Sequence, residues 1–438
     1  MKNKTWQTLT LVSAIFIFAT GFGIIIPVIP YYAKNAGGDA FVLGLLLAIF
    51  SFLQFFCGPF WGKISDHVGR KPVVIIGLAG FTVAFVMLGL SNNLLWVFTA
   101  AIIGGALSAG IQPAALAFIA DITTSEERGG LMGAMGAAMG IGLIAGPSIS
   151  SFLSPFGLAV PFFVAAAISF VTLIGVNIMI HEQMSGERRL RLSDLLLPVF
   201  IVKMIVETIK QMISALKTSM GIYLVATLVI SFAIAGFEGT FSFYLMDIFH
   251  LTDIATVVNV FGLPISLTGP LITGITLALM GIVMAICQGL LVGRLINRFG
   301  EEIVIITGLF ISSAGLILML LPGNISFVPG DIGLVIGSIC VVGVGSGLVF
   351  PSLNTLISRR TDDRNQGVIM GTMASYGNFG RILGTPIAGY TYEISLVVPY
   401  LLSAVVMVST SIGIFILAIT GQKKDQVPIA AEALTRKP

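Results

Sequence analysis

The chain has 438 residues and a formal net charge of +3, with 56% hydrophobic and only 10% charged residues. Soluble domains carry about 25% charged residues, and apolar runs of roughly 18 or more recur along the whole length. A soluble fold is therefore excluded, and an all-α protein of many membrane-spanning helices is indicated.

Windows of about 20 residues give twelve candidate spans. In chain order they lie near 9–32, 41–62, 72–91, 95–120, 130–153, 158–180, 221–246, 272–293, 303–321, 332–357, 367–390 and 397–420. The first is too long for the apolar region of a cleaved signal and lacks a small-residue cleavage site after it, so it is expected to stay. Residues 181–220 connect spans 6 and 7. They open with Arg188, Arg189 and Arg191 and continue into "VKMIVETIKQMISALK". Helical spacing there puts Lys203, Glu207, Lys210 and Lys217 on one face, with Val206, Ile209, Ile213 and Leu216 largely opposite. That pattern predicts an amphipathic helix on the inner membrane surface. Residues 254–271 are apolar but broken by prolines and glycines, and are expected to form an outer loop lying on or dipping into the interface. The expected organisation is a six-helix half over 1–180, a cytoplasmic linker over 181–220, a second six-helix half over 221–420 and a cytoplasmic tail over 421–438.

Twelve spans place both termini on one side. With that side inside, every lysine and arginine except Lys34 and Arg381 falls in an inner segment or tail, as the positive-inside rule requires. A multi-pass protein of the cell (inner) membrane with both termini cytoplasmic is expected.

The two halves repeat. "LMGAMGAAMGIGLIAG" (131–146) matches "IMGTMASYGNFGRILG" (369–384) at an offset of 238, and Pro113 matches Pro351 at the same offset. "GKISDHVG" (62–69) matches "GRLINRFG" (293–300) at an offset of 231. Six-span halves in parallel order are the mark of a transporter that holds its substrate between them near the midplane. His67, His181 and His250 fall in loops, and neither a metalloprotease nor a serine-hydrolase motif occurs, so an enzyme is not expected. "GPFWGKIS" lacks the spacing of a nucleotide-binding loop. The cysteines Cys57, Cys287 and Cys340 show neither metal-ligand nor disulfide spacing, and no metal or cofactor is expected.

The stretch "GKISDHVGRKPV" (62–73) joins spans 2 and 3, with Gly62 and Gly69 read as permitting a tight reversal. Together with the spans and the repeat it resembles the signature loop of the major facilitator superfamily. The resemblance implies that Asp66 and Arg70 help lock the inner side. The second copy departs: Asn297 replaces the aspartate, and Glu301 and Glu302 stand where the basic pair was. "GLIAGPSIS" (142–150) is similar to the antiporter motif of the drug:proton branch, carried by Gly142, Gly146 and Pro147. The glycine pairs Gly136/Gly140 and Gly142/Gly146 are spaced for close helix approach, and Pro147 for a bend. "GFGIIIPVIPYY" (21–32) and "PAALAFIADI" (113–122) look like the same twelve-span branch, which contains bacterial tetracycline and quinolone exporters. Many of those relatives carry an arginine in span 4, where this chain has Ala101, and an acid in span 1, absent here.

Glu238 is the only charge between Lys217 and Asp247, in "SFAIAGFEGTF" of span 7. A charge at the bilayer centre costs about 2.5–3.5 kcal/mol on insertion scales, so such a residue has a partner or a task. The one other charge deep in a span is Arg381 of span 11. Counted from the inner ends at about 1.5 Å per residue, Glu238 lies about 25 Å deep and Arg381 about 21 Å. The superfamily fold makes these two spans neighbours, so the residues are expected to pair. Burial favours the neutral carboxyl and a guanidinium favours the charged one, which suits a site for a proton or a cationic substrate. Phe241 shares the Glu238 face, and Gln112 and Asn354 lie beside the matched prolines; an aromatic cleft with one carboxylate suits bulky apolar cations.

The expected activity is export of lipophilic, often cationic compounds in exchange for protons by alternating access. The alternative is a major facilitator transporter of a lipid, sugar or metabolite, with or without proton coupling. The expected partners are a small lipophilic substrate, protons and the lipid bilayer, with no nucleic acid, and the chain is expected to act as a monomer.

Overall fold

The computed structural model of the chain describes residues 2–123, 125–181, 198–218, 220–260, 263–321, 332–361 and 366–419. All twelve expected spans are helices there. Hydrocarbon offers the backbone no hydrogen-bond partner, so an apolar run crossing it must satisfy its own N–H and C=O groups. The first half comprises α1 (Lys2–Asn35), α2 (Ala40–Val68), α3 (Arg70–Leu90), α4 (Leu94–Ser108) with α5 (Ile111–Ile122), α6 (Ser125–Leu153) and α7 (Val160–Met179). Helix α8 (Pro198–Leu216) precedes α9 (Gly221–Phe249), and α10 (Gly269–Ile286) runs through a π-helical turn at Cys287–Leu291 into α11 (Val292–Phe299). The chain continues with α12 (Glu301–Leu318), α13 (Ile332–Arg359), α14 (Gln366–Ile394) and α15 (Val398–Ile419).

Among the described residues, eleven helices are long and apolar enough to cross a membrane, α4 with α5 and α10 with α11 counting as single spans. Helix α14 is as long, at 29 residues, but its glycines, Asn378 and Arg381 lower its hydropathy. It is the polar helix of the second half, and the candidate site lies on it.

The chain divides into two compact units. One contains residues 1–205 with 252–255 and 268–278, and the other contains 206–251, 256–267 and 279–438. In the first, α1 packs along α6, and α3 packs on α4 and α7. In the second, α9 packs along α14, and α12 packs on α13 and α15. The start of α10 belongs to the first unit, where the Tyr31 and Thr273 hydroxyls are 3.1 Å apart.

The antiporter-motif glycines and their repeat partners explain the tightest of these contacts. A Cβ on Gly142 would strike the Phe16 carbonyl, and one on Gly146 the Thr20 carbonyl. In the second unit, a Cβ on Gly380 would strike the Leu228 carbonyl, and one on Gly384 that of Phe232. Backbone therefore meets backbone in both units, as small residues allow in membrane helices. Gly136 and Gly140 do not share this role, because open space surrounds the place of their missing side chains. They lie about 120° and 160° round the helix from Gly142, outside the face that meets α1.

Residues 254–271, expected as an outer loop, contain regular structure. They hold an antiparallel hairpin of β1 (Thr256–Val260) and β2 (Leu263–Leu267), with Val258 opposite Ile265 and Val260 opposite Leu263. The β-branched residues of "TVVNV" favour an extended, pleated backbone over a helix.

Candidate functional site

Helix α9 is apolar and buried along most of its length, and Glu238 is its one charge before Asp247. Its Oε2 accepts a hydrogen bond from Arg381 Nη2 at 2.6 Å. The side chains are 17% and 24% exposed respectively, so the pair is sheltered but still reachable. Such charge-assisted bonds are short and among the strongest available to a protein. The backbone contact at Gly380 and Gly384 sets the register: Arg381 lies between the two glycines and is delivered directly to α9. Phe237 and Phe241 flank the carboxylate along α9, with ring centroids 4.9 Å apart.

Of the other residues expected near a substrate, Phe241 lies beside the pair on α9, while Gln112 belongs to the first unit and Asn354 to the second. Phe241 is buried at 1% exposure and packs on Phe237. Gln112, on α5 of the first unit, directs Nε2 to the Met139 sulfur at 3.6 Å. Asn354 is an exposed residue of α13 in the second unit.

The paired glycine contacts also locate the counterparts of Glu238 and Arg381 in the first unit. Phe16 and Leu228 take the same place against their glycines, as do Thr20 and Phe232, and each couple is 212 residues apart. The same offset leads from Glu238 to Ile26, and the offset of 238 leads from Arg381 to Leu143. The ion pair thus belongs to one half, and two aliphatic residues occupy its place in the other.

Ala101, at the position of the missing span-4 arginine, lines a partly open apolar pocket among α1 to α4. Its walls include Phe22, Phe50, Phe81, Phe85 and Gly104, and every lining residue is apolar. No acceptor there would hold a guanidinium.

At the signature loop, Gly69 joins α2 to α3 with φ +109°, a conformation that glycine adopts without strain. Gly62 does not form the reversal; it lies inside α2, where its carbonyl accepts from Ser65 Oγ at 2.6 Å. Arg70 is the hub of the cluster. It bonds Asp66, donates to Asp121 Oδ2 at 3.2 Å and to Ser65 Oγ at 2.7 Å. Lys71 donates to the Asn177 carbonyl at 2.7 Å, tying the start of α3 to the end of α7.

The second copy of the loop is also paired, with its charges reversed. Gly300, with φ +83°, joins α11 to α12 as Gly69 joins α2 to α3. Glu301 pairs with Arg359. Glu302 accepts from Arg360 at 2.6 Å and from the Tyr223 hydroxyl at 2.7 Å, and the Arg360 guanidinium stands 5.1 Å over the Tyr223 ring. Burial works against the Arg360 charge, but Tyr223 and Glu302 outweigh it and raise its pKa. Asp121, Arg359 and Arg360 escaped the motif reading. The offset of 231 carries Arg70 to Glu301 and that of 238 carries Asp121 to Arg359, so the repeat signals that pair, whereas Arg360 corresponds to Ile122 and has no such signal.

A profile of the Major Facilitator Superfamily matches residues 11–288 and 267–438 of the chain. The chain is 28% identical over 424 residues to multidrug resistance protein 2 of Bacillus subtilis (strain 168), covering 95% of each chain. It is 27% identical over 390 residues to the class C tetracycline resistance protein of Escherichia coli, covering 88% of this chain and 90% of the relative. The solved structure of the nucleoside transporter NupG superposes with a TM-score of 0.71 at 14% identity, over 94% of this chain and 99% of the other.

Proposed function

Because the chain belongs to the Major Facilitator Superfamily, we propose that it exports lipophilic, often cationic compounds from the cytoplasm in exchange for protons, by alternating access. The observation that carries this reading is the Glu238–Arg381 pair. Relatives named for multidrug and tetracycline resistance support the class of cargo.

A carboxylate sheltered within a membrane helix bundle needs a positive partner. Arg381 supplies it at rest. A proton or a cationic cargo supplies it otherwise, and one carboxylate cannot be neutralised by both at once. Mutually exclusive occupancy of Glu238 is the chemical basis of exchange, with Arg381 as the positioning residue that holds the vacant carboxylate. Asp66 and Arg70 are assigned to gating at the signature loop, and Gly142, Gly146 and Pro147 to the close packing that transmits motion through the first half. The distribution of lysine and arginine supports cytoplasmic termini in the cell membrane.

Proton movement in everted vesicles, followed with a pH-sensitive dye, tests the proposal with a panel of lipophilic cations. Wild type is expected to release protons when drug is added, and Glu238→Gln is expected to release none. A wild type that moves no protons for any cation would point to neutral cargo, with the pair as a fixed structural link.

A further inference from the structure

Helix α8 shows three distinct faces, and one is an exposed apolar stripe among the described residues. At about 100° per residue, Thr208, Met212 and Ala215 share an arc of about 60°. Ala215 is buried, and the Met212 carbonyl accepts the Tyr376 hydroxyl of α14 at 2.8 Å, so this arc is the protein face. The next arc holds Val206, Ile209, Ile213 and Leu216, exposed by 41%, 43%, 53% and 46%. Four large aliphatic side chains in one exposed stripe, on a helix bonded to a membrane span, belong in lipid. The third arc faces water and carries Glu207 and Gln211.

Lys210 and Lys217 stand at the border between the stripe and the water face. They are seven residues apart, about 10 Å along the helix. Among the described residues, no ion pair involves either of them. By its spacing in the sequence, Lys203 extends the same row, and Arg188, Arg189 and Arg191 precede it. Long basic side chains beside an apolar stripe lay their methylenes along it and carry their charges to headgroup level. We propose that α8 is a recognition surface for anionic phospholipid: Lys210 and Lys217 bind the headgroup phosphates, and the Val206–Leu216 stripe enters the acyl boundary. This inference is independent of what the protein transports. It assigns the linker helix a partner chosen by charge, whereas an apolar stripe alone would rest on any lipid.

The test uses the full chain with Cys57, Cys287 and Cys340 replaced by serine and a bimane fluorophore on Ile213→Cys. The protein is placed in nanodiscs containing brominated phosphatidylglycerol or, at the same fraction, brominated phosphatidylcholine. Quenching by phosphatidylglycerol is expected to reflect a local enrichment of about fivefold per lysine, and the excess should fall as salt is raised. Lys210→Gln combined with Lys217→Gln should bring the two lipids close to equal while quenching persists. Equal quenching by both lipids before substitution would overturn the proposal. So would an excess unchanged by the double substitution or by salt. Absence of quenching by either lipid would also overturn it, by showing the stripe covered by protein. The salt series needs no lysine substitution, so the proposal remains testable even if the double variant fails to fold.

Discussion

Glu301 and Arg359 form an ion pair at the positions where the first half places Arg70 and Asp121, with acid and base exchanged. Both pairs join the helix after a signature-loop glycine to the end of the fourth span of its own half. The repeat has preserved the link and inverted its polarity. Exchanging both charges preserves a pairing that changing either one alone would break, so the arrangement is consistent with two substitutions retained together.

Reversal of a single member should therefore harm, and reversal of both should repair. Glu301→Arg sets a new cation beside Arg359 and Arg360, and should lower the unfolding midpoint and slow transport. Adding Arg359→Asp should recover most of both. Arg359 is largely exposed, so the stability effect should stay within about 0.2–1 kcal/mol. Thermal unfolding in detergent, alongside drug efflux from cells, measures it.

Removing Arg381 while keeping Glu238 leaves a sheltered carboxylate without the cation seen here. Arg381→Ala should cost on the order of 1–3 kcal/mol, and Arg381→Lys less. Combining Arg381→Gln with Glu238→Gln should cost less than the two single changes added together. A double-mutant cycle on urea or thermal unfolding gives the coupling energy, and additivity would show that the pair contributes no mutual stabilisation.

The glycine contacts make a sharper prediction, because neighbouring glycines differ in surroundings. Gly384→Ala puts a methyl group onto the Phe232 carbonyl and should destabilise by about 1–3 kcal/mol. Gly146→Ala should act similarly against Thr20. Gly371→Ala, in the same helix as Gly384 with open space around it, should be neutral or slightly stabilising. Unfolding midpoints of the three variants separate close packing from a general intolerance of side chains.

Filling the apolar pocket of the first half should help, and charging it should not. Ala101→Leu adds apolar surface among Phe22, Phe50 and Phe81 and should gain roughly 1 kcal/mol. Ala101→Arg introduces a cation with no acceptor among the lining residues and should reduce the yield of folded protein. Expression level and size-exclusion profile report both outcomes.

The spans were legible because hydrocarbon imposes one requirement on every segment that crosses it, and a run of apolar residues announces that requirement. Glu238 and Arg381 were legible for the opposite reason: each is conspicuous against an apolar background, and equal depth matched them. Gly62 was misassigned because a glycine at the edge of a motif reads as a turn, whereas only Gly69 adopts a positive φ. Gly136 and Gly140 share the spacing of Gly142 and Gly146, and only the rotation of α6 relative to α1 distinguishes them. The hairpin was hidden by its prolines and glycines, which signal irregular chain more strongly than a short alternation signals strands. Asp121 ends the stretch "PAALAFIAD", but its partner is 51 residues away in sequence, and local patterns carry no information at that range.

The contact of Gly380 and Gly384 with the Leu228 and Phe232 carbonyls limits how α9 and α14 can move. Side chains between helices act as a compressible cushion, and at these two glycines there is none. Spreading the helices would break two close backbone contacts at once, whereas a change of χ angles in Arg381 would break neither. In the proposed exchange, Glu238 is therefore released by a swing of the Arg381 side chain on a fixed hinge, without travel of whole helices.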